Sequence, residues 1–301
     1  MLWQKVAFMM GLIPGVALAA TCKVSDLPIL PRQTPGISIS DNPRYAGGFV
    51  ELPQHSSDSG PAVTRLEATL TVPNLTWASG QSSSGGPYIL TAGCSVYAIT
   101  DADSQAACNG RGAWMGVNAN LSSAGQSQSS WFNWPPISTE FLGSDKDRKL
   151  NLTAGDEMFV TIDLLSATNA TYSFMNLKDT NNTVTIAQDG GAGEPMCSGD
   201  GTTVYAGCYI GVTDSSIMPG FVEVDFESVL VYDRCNTTHD FDLDQQVQFY
   251  RLVDGNGKVL AMPALDEAFD FSVQWSENPE YGSGIDGGGA PPPPSVAALR
   301  W

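Results

Sequence analysis

The feature that most constrains this chain is a series of short runs in which apolar and polar residues alternate. Each run is ended by Gly, Asn, Asp or Pro. RLEATLTV at 65–72 alternates and stops at Pro73. EMFVTIDL at 157–164 alternates after Ala154-Gly155-Asp156. Residues 171–177 alternate, 178–182 read as a turn, and 183–186 alternate again. Residues 221–232 form the longest such run, and 246–262 read as a further hairpin around Asp254-Gly255-Asn256-Gly257. A period of two sends successive side chains to opposite faces of an extended strand. Many short strands with turn residues between them predict an all-β, antiparallel sandwich of two stacked sheets or a barrel. No Glu/Lys-rich stretch carries the helical period, which excludes coiled coils. Residues 263–269 are expected to make one or two helical turns.

The two ends read differently from this middle. Lys5, the apolar residues 6–16 and Ala17-Leu18-Ala19 have the charged start, short apolar stretch and small-residue cleavage site of a secretory leader. Residues 1–19 are therefore read as a signal peptide and the protein as secreted. Residues 20–43, with Pro28, Pro31, Pro35 and Pro43, read as an irregular arm. The sandwich is expected over 44–281. GSGIDGGGAPPPPS at 282–295 makes 282–301 a disordered Gly/Pro-rich tail. No run is apolar for long enough to span a membrane.

Export gives meaning to two other features. Cys22, Cys94, Cys108, Cys197, Cys208 and Cys235 are an even set, read as disulfides in an oxidising compartment, although the sequence does not choose the pairing. None has the close spacing of a zinc knuckle, so no metal is expected. Asn74, Asn120, Asn151, Asn169, Asn181 and Asn236 each begin an N-x-S/T triplet and are candidate glycosylation sites.

Charge narrows the partners. The chain carries 14 Lys+Arg against 32 Asp+Glu, a net charge of −18. That field repels nucleic acid and anionic membranes. Only two histidines exist, His55 and His239, both read as exposed loop residues, and no G-x-S-x-G elbow accompanies them. There is no H-E-x-x-H, P-loop or dinucleotide fingerprint, so no cofactor is expected. A monomer is expected.

Several segments, in order, resemble the eqolisins, the secreted fungal glutamic peptidases. RYAGGFV at 44–50 is similar to their opening N-W-x-G-A-V strand, and LEATLTVP at 66–73 to the strand ending T-V-P. SSWFNWPP at 129–136 is similar to their Y-D-A-W-Y-E-W-Y-P signature. LNLTAGDEMFVT at 150–161 resembles I-S-x-G-D-x-I-x-V-x-V, and VDFESV at 224–229 resembles A-D-F-x-x-V. The resemblance covers residues 44–233 and implies a concanavalin A-like β-sandwich with a concave, polypeptide-binding face. It also implies a Glu that acts as general base to a water and a Gln amide that donates to the oxyanion, chemistry those side chains suit.

The chain departs from that pattern where the chemistry should be. At the family's glutamine strand it reads AWMGVN over 113–118, with Met115, or Trp114 in a neighbouring alignment, at the glutamine position. At the glutamate strand it reads VYAGCYIGV over 204–212, with Gly211 at the glutamate position. Asn133 stands at the Glu of Y-E-W, and Ser129 at the preceding Asp. Methionine cannot donate to an oxyanion and glycine cannot act as a base. The expected protein is thus eqolisin-like with its peptidase pair lost or rewired.

Two alternatives stay open. An active acid peptidase would need a shifted pair, Gln126 or Gln128 with Glu223. A glycan-active or glycan-binding protein would use Glu223, Asp225 and Glu227, an E-x-D-x-E run whose alternation puts three carboxyls on one strand face with Val222, Val224 and Phe226 behind. Trp114, Trp131, Trp134, Asn118 and Asn133 are the candidate groove residues; Trp131 and Trp134 have opposite parity, so only one can face the groove.

Overall fold

The computed structural model describes residues 36–54, 60–78, 81, 86–100, 111–134, 139–142, 150–189, 202–213, 218–241, 246–267 and 269–275. Among them there is no helix. The strands are β1 (Gly36–Asn42), β2 (Tyr45–Gln54), β3 (Val63–Thr71), β4 (Leu75–Thr76), β5 (Tyr88–Thr100) and β6 (Arg111–Ser122). They continue with β7 (Gly125–Asn133), β8 (Glu140–Phe141), β9 (Glu157–Leu164), β10 (Asn169–Asn176), β11 (Thr183–Asp189) and β12 (Thr202–Gly211). The last six are β13 (Gly220–Phe221), β14 (Glu223–Asp233), β15 (Thr238–His239), β16 (Gln246–Val253), β17 (Val259–Glu267) and β18 (Asp270–Trp275).

Strand pairing follows one path, β11-β10-β9-β3-β14-β18-β17-β16-β2-β12-β5-β6-β7-β8, with β13 and β4 paired separately. The path doubles over into two layers, so that β9 and β3 lie across a shared core from β5, β6 and β12. All pairings are antiparallel except β1 with β16. The result is the expected antiparallel β-sandwich.

Alternation decides which residues make the core. Ala92, Cys94 and Val96 of β5, Ala113, Met115 and Val117 of β6, and Ala206, Cys208 and Ile210 of β12 are all fully buried between the layers. The opposite layer contributes Leu66, Ala68 and Leu70 of β3, Val160 and Ile162 of β9, and Val224 and Phe226 of β14. Burying such side chains stabilises by about 1.5–3 kcal/mol each. Cys94 and Cys208 face each other across β5 and β12 and form a disulfide that closes a separation of 114 residues. Cys235 is also disulfide-bonded, and Cys22, Cys108 and Cys197 lie outside the described residues.

Several local expectations meet the structure differently. Residues 36–42 are not irregular: they form β1, in parallel register with β16, where Ser38 bonds Gln248 and Arg251 pairs with Asp41. Residues 263–267 are not helical but continue β17, because pairing with β18 satisfies their backbone. Residues 221–232 are interrupted at Val222, which is 51% exposed, and β5 is longer. The 246–262 hairpin is present; Asp254 Oδ1 accepts from Asn256 N and Lys258 N, and Gly257 takes the positive φ the turn needs. His239 is not an exposed loop residue. It lies in β15 with a side chain 12% exposed, its Nε2 3.1 Å from Asp233 Oδ2. The 1–19 leader and the 282–301 tail lie outside the described residues.

Candidate functional site: the aromatic face of the β2–β12–β5–β6 layer

Residues out of phase with the core lie on the other side of this layer. Cross-strand register places them in rows. One row runs Tyr250, Gly47, Tyr209, Gly93, Gly116 and Trp131, from β16 across to β7. The next runs Gln248, Phe49, Gly207, Ser95, Trp114 and Asn133, and the third runs Glu51, Tyr205, Tyr97 and Gly112. Beyond the first row lie Tyr45, Gly211, Thr91, Asn118 and Ser129.

The large rings cover one another. Phe49, Tyr97, Trp114, Trp131 and Tyr209 form a second buried cluster, separate from the core, with Tyr45, Tyr205 and Tyr250 packed against it. Tyr97 is sandwiched between Trp114 and Tyr205, at centroid distances of 5.1 and 5.3 Å. Trp114 meets Tyr209 edge to face at 5.9 Å. Such pairs add about 0.5–1.5 kcal/mol each beyond their burial. Glycines alternate with the rings because the strands approach closely: a Cβ on Gly116 would lie 2.4 Å from the Ala92 carbonyl oxygen.

The polar ends of these rings converge. The hydroxyls of Tyr97 and Tyr250 hydrogen-bond to that of Tyr45. Tyr205 interacts electrostatically with both Tyr97 and Tyr250, and Glu51 with Tyr250. Tyr209 couples to Tyr45 as well, and its own hydroxyl, in a residue 1% exposed, has no hydrogen-bond partner among the described residues. Burial raises the pKa of Tyr45, Tyr97, Tyr209 and Tyr250, so all four stay protonated. Burial also pushes the Glu51 carboxyl up to about 7. Among the described strand residues of this face Glu51 is the one carboxylic acid. The nearby Gln248 is fully engaged: Oε1 accepts from Ser38, and Nε2 donates to Phe249 O at 2.9 Å and Ser38 O at 3.3 Å.

Beside the rings is a cavity of about 210 Å³ lined by Thr91, Asn118, Trp131, Phe141, Tyr209 and Gly211, among others. Thr91 Oγ1 donates to Asn118 Oδ1 at 2.7 Å. Asn133 Nδ2 donates to Thr139 Oγ1 at 2.9 Å, while Asn133 Oδ1 is buried with no hydrogen-bond partner among the described residues.

The residues singled out in the sequence are divided between the faces. Trp114, Trp131, Asn118, Asn133 and Gly211 belong to the aromatic face. Met115 and Trp134 belong to the core. Of the two residues matched to the family's glutamine position, it is therefore Trp114 that lies on the aromatic face. Gln126 anchors the entry to β4, donating to Pro73 O at 2.6 Å and accepting from Leu75 N at 2.8 Å. Gln128 is opposite Ala119, out of phase with Asn118 and hence off the aromatic face. Glu223, Asp225 and Glu227 lie on the outer side of the opposite layer, because Val224 and Phe226 between them point into the core. Glu223 accepts from Gln274 Nε2 at 3.1 Å, and Asp225 accepts from Thr71.

The tyrosines and Glu51 were not signalled by the sequence. They come from β2, β5, β12 and β16, and only the register brings them together. The one available hint was even spacing: Tyr45, Phe49 and Glu51, then Tyr205 and Tyr209, are in phase within their own strands.

The chain can now be compared with known proteins. No curated protein matches it in sequence. Among solved structures it resembles scytalido-glutamic peptidase bound to a transition-state analogue inhibitor, with 16% identity and a TM-score of 0.54, over 77% of this chain and 98% of that one. It also resembles SCP-B, a member of the eqolisin family of peptidases in complex with the tripeptide Ala-Ile-His, with 16% identity and a TM-score of 0.52 over the same shares. At this identity the likeness establishes the shared fold. The model of the Peptidase A4 family matches residues 47–275, and the chain belongs to that family.

Proposed function

We propose that this protein is an exported, polypeptide-binding member of the family that does not cut peptides through a glutamine–glutamate pair. The observation that carries this reading is Trp114, stacked flat on Tyr97 where the family's oxyanion donor is expected. On β12 the side chains facing the cleft are Tyr205, Gly207, Tyr209 and Gly211, none of which is a base. Removing one oxyanion donor lowers kcat by about 10²–10³ in other hydrolases, and here the carboxylate partner is replaced as well. The neighbouring cavity, with Asn118, Thr91 and Thr139 at its walls, retains amide and hydroxyl groups suited to a peptide backbone. SCP-B holds a tripeptide, and the shared fold supports a related use of this face.

Export is supported by the leader-like residues 1–19 and the disulfides. Of the N-x-S/T triplets, Asn74, Asn151, Asn181 and Asn236 are exposed, and Asn120 and Asn169 are half-buried. Among the described residues no helix is long and apolar enough to cross a membrane.

One observation favours a second reading. Glu51 stands opposite Tyr205 and interacts electrostatically with the Tyr250 phenol, and its pKa is pushed up to about 7, so it is the residue on this face equipped to move a proton. A rewired hydrolase would use Glu51 as base and a tyrosine hydroxyl as donor. Digestion of a denatured protein substrate between pH 2 and 7 separates the readings. We expect no cleavage by the parent. Cleavage that disappears in Glu51→Gln would overturn the binding-only reading in favour of the second.

A further inference from the structure

The tyrosine nest is built from oxygen atoms alone. Tyr45, Tyr97, Tyr205, Tyr209 and Tyr250 supply hydroxyls and Glu51 supplies a carboxyl. It belongs to the rim of the aromatic face: Tyr45, Glu51, Tyr205 and Tyr250 are half-buried, whereas Phe49, Tyr97 and Tyr209 beneath them are closed off. The rim therefore presents the oxygen lone pairs of three phenols and one carboxyl beside the faces of aromatic rings.

Charge points the same way. Burial raises the Glu51 carboxyl, and among the described residues no Lys or Arg is paired with it. The chain as a whole carries −18. A group that donates only and is positively charged complements both properties. A guanidinium has five N–H donors and no acceptor, and its planar face packs against phenol rings.

We propose that the rim of Glu51, Tyr45, Tyr205 and Tyr250 is a recognition site for a basic side chain, arginine above all, of a polypeptide lying along the aromatic face. The proposal rests on the polypeptide-binding reading above and adds its specificity. An arriving cation favours the ionised carboxyl. The titratable groups around Glu51 are the phenols of Tyr205 on β12 and of Tyr250 on β16, the latter kept protonated by burial, with Gln248 uncharged between. Binding near pH 6 therefore expels a proton from Glu51.

Calorimetric titration of the whole protein with capped Ala-Arg-Ala, and with the same peptide carrying neutral citrulline in place of arginine, tests this. The arginine peptide is expected to bind at least tenfold more tightly at pH 7. At pH 6, titration in two buffers of different ionisation enthalpy should show release of close to one proton. Glu51→Gln should abolish both the preference and the proton release. Tyr205→Phe, which keeps the ring, should weaken the arginine peptide about threefold without changing the proton count, and it serves where Glu51→Gln does not fold. Equal binding of the two peptides overturns the arginine site and leaves the groove reading standing. Binding of a longer unfolded polypeptide but of neither tripeptide has the same consequence. Failure of the protein to bind any of the three overturns both readings.

Discussion

The two outer faces of this sandwich are built by the same alternation and have opposite chemistry. On the β2–β12–β5–β6 layer the side chains facing away from the core are rings that bury one another, with Glu51 as their one carboxyl among the described strand residues. On the β3–β14–β18 layer the corresponding positions are polar, with Glu67, Glu223, Asp225 and Glu227 set among Arg65, Thr69, Thr71, Ser272 and Gln274. Asp225 is raised by burial, then by Glu223, with Asp266 and Glu157 also contributing. Glu227 is raised by burial and by Glu157, Asp270 and Asp225. The first face is organised around exclusion of water and the second around repulsion that water tolerates. An acidic run on a strand is thus a weak pointer to a site, whereas a single acid among rings is a strong one.

The largest expected effect tests the ring cluster. Trp114→Ala removes the ring on which Tyr97 stacks and which abuts Tyr209. It should cost about 3–5 kcal/mol of unfolding free energy in denaturant titration. A loss below 1 kcal/mol would mean the rings do not behave as a second core.

A smaller effect is the response to pH. Burial raises Glu51, Asp225, Glu227 and Asp266 in the folded state. A group raised on folding binds its proton first in the native state. Its contribution is fully present below the unfolded pKa and is lost as pH rises through the folded pKa. Asp156 and Asp233 are lowered, by hydrogen bonds from Thr153, Lys178 and Asn176 and from His239, Thr237 and Cys235 against their burial. Their contribution is present above the unfolded pKa and is lost as pH falls through the folded one. Thermal melts should therefore show Tm rising by a few degrees from pH 8 towards pH 5. Tm should then turn over below about pH 4, the range of unfolded carboxyls. Glu51→Gln should flatten the upper part of that rise. A Tm that falls steadily from pH 8 would break the comparison.

The smallest effect belongs to the acidic face. Asp225→Asn relieves repulsion from Glu223 and loses little, since its hydrogen bond from Thr71 is long at 3.4 Å. It should raise stability at pH 7 by a few tenths of a kcal/mol or leave it unchanged, as surface changes generally do. Glu223→Gln should leave polypeptide binding within twofold of the parent, because Glu223 lies on the layer opposite the aromatic face. A tenfold loss of binding in Glu223→Gln would make the acidic face part of the site.

Much of the fold was legible in the chain because period-two alternation is a local property. It located β3, β9, β10, β11 and the β16–β17 hairpin to within a few residues. It misjudged residues 36–42 and 263–267, whose strand state depends on partners distant in sequence, β16 for the first and β18 for the second. Pairing between strands far apart in the chain leaves no local mark.

The site was less legible for the same reason. Sequence by itself determined that Trp114 and Met115, or Trp131 and Trp134, must face opposite ways, because adjacent or odd-spaced residues on a strand always do. It also shows that residues 113–118 and 204–212 contain neither a glutamine nor a glutamate. Which member of each pair entered the core was decided only when the layers closed around Cys94 and Cys208. The meeting of Glu51 with tyrosines from four strands was decided there too. A strand fixes the side of its own residues, but only the register between strands fixes which of them become neighbours.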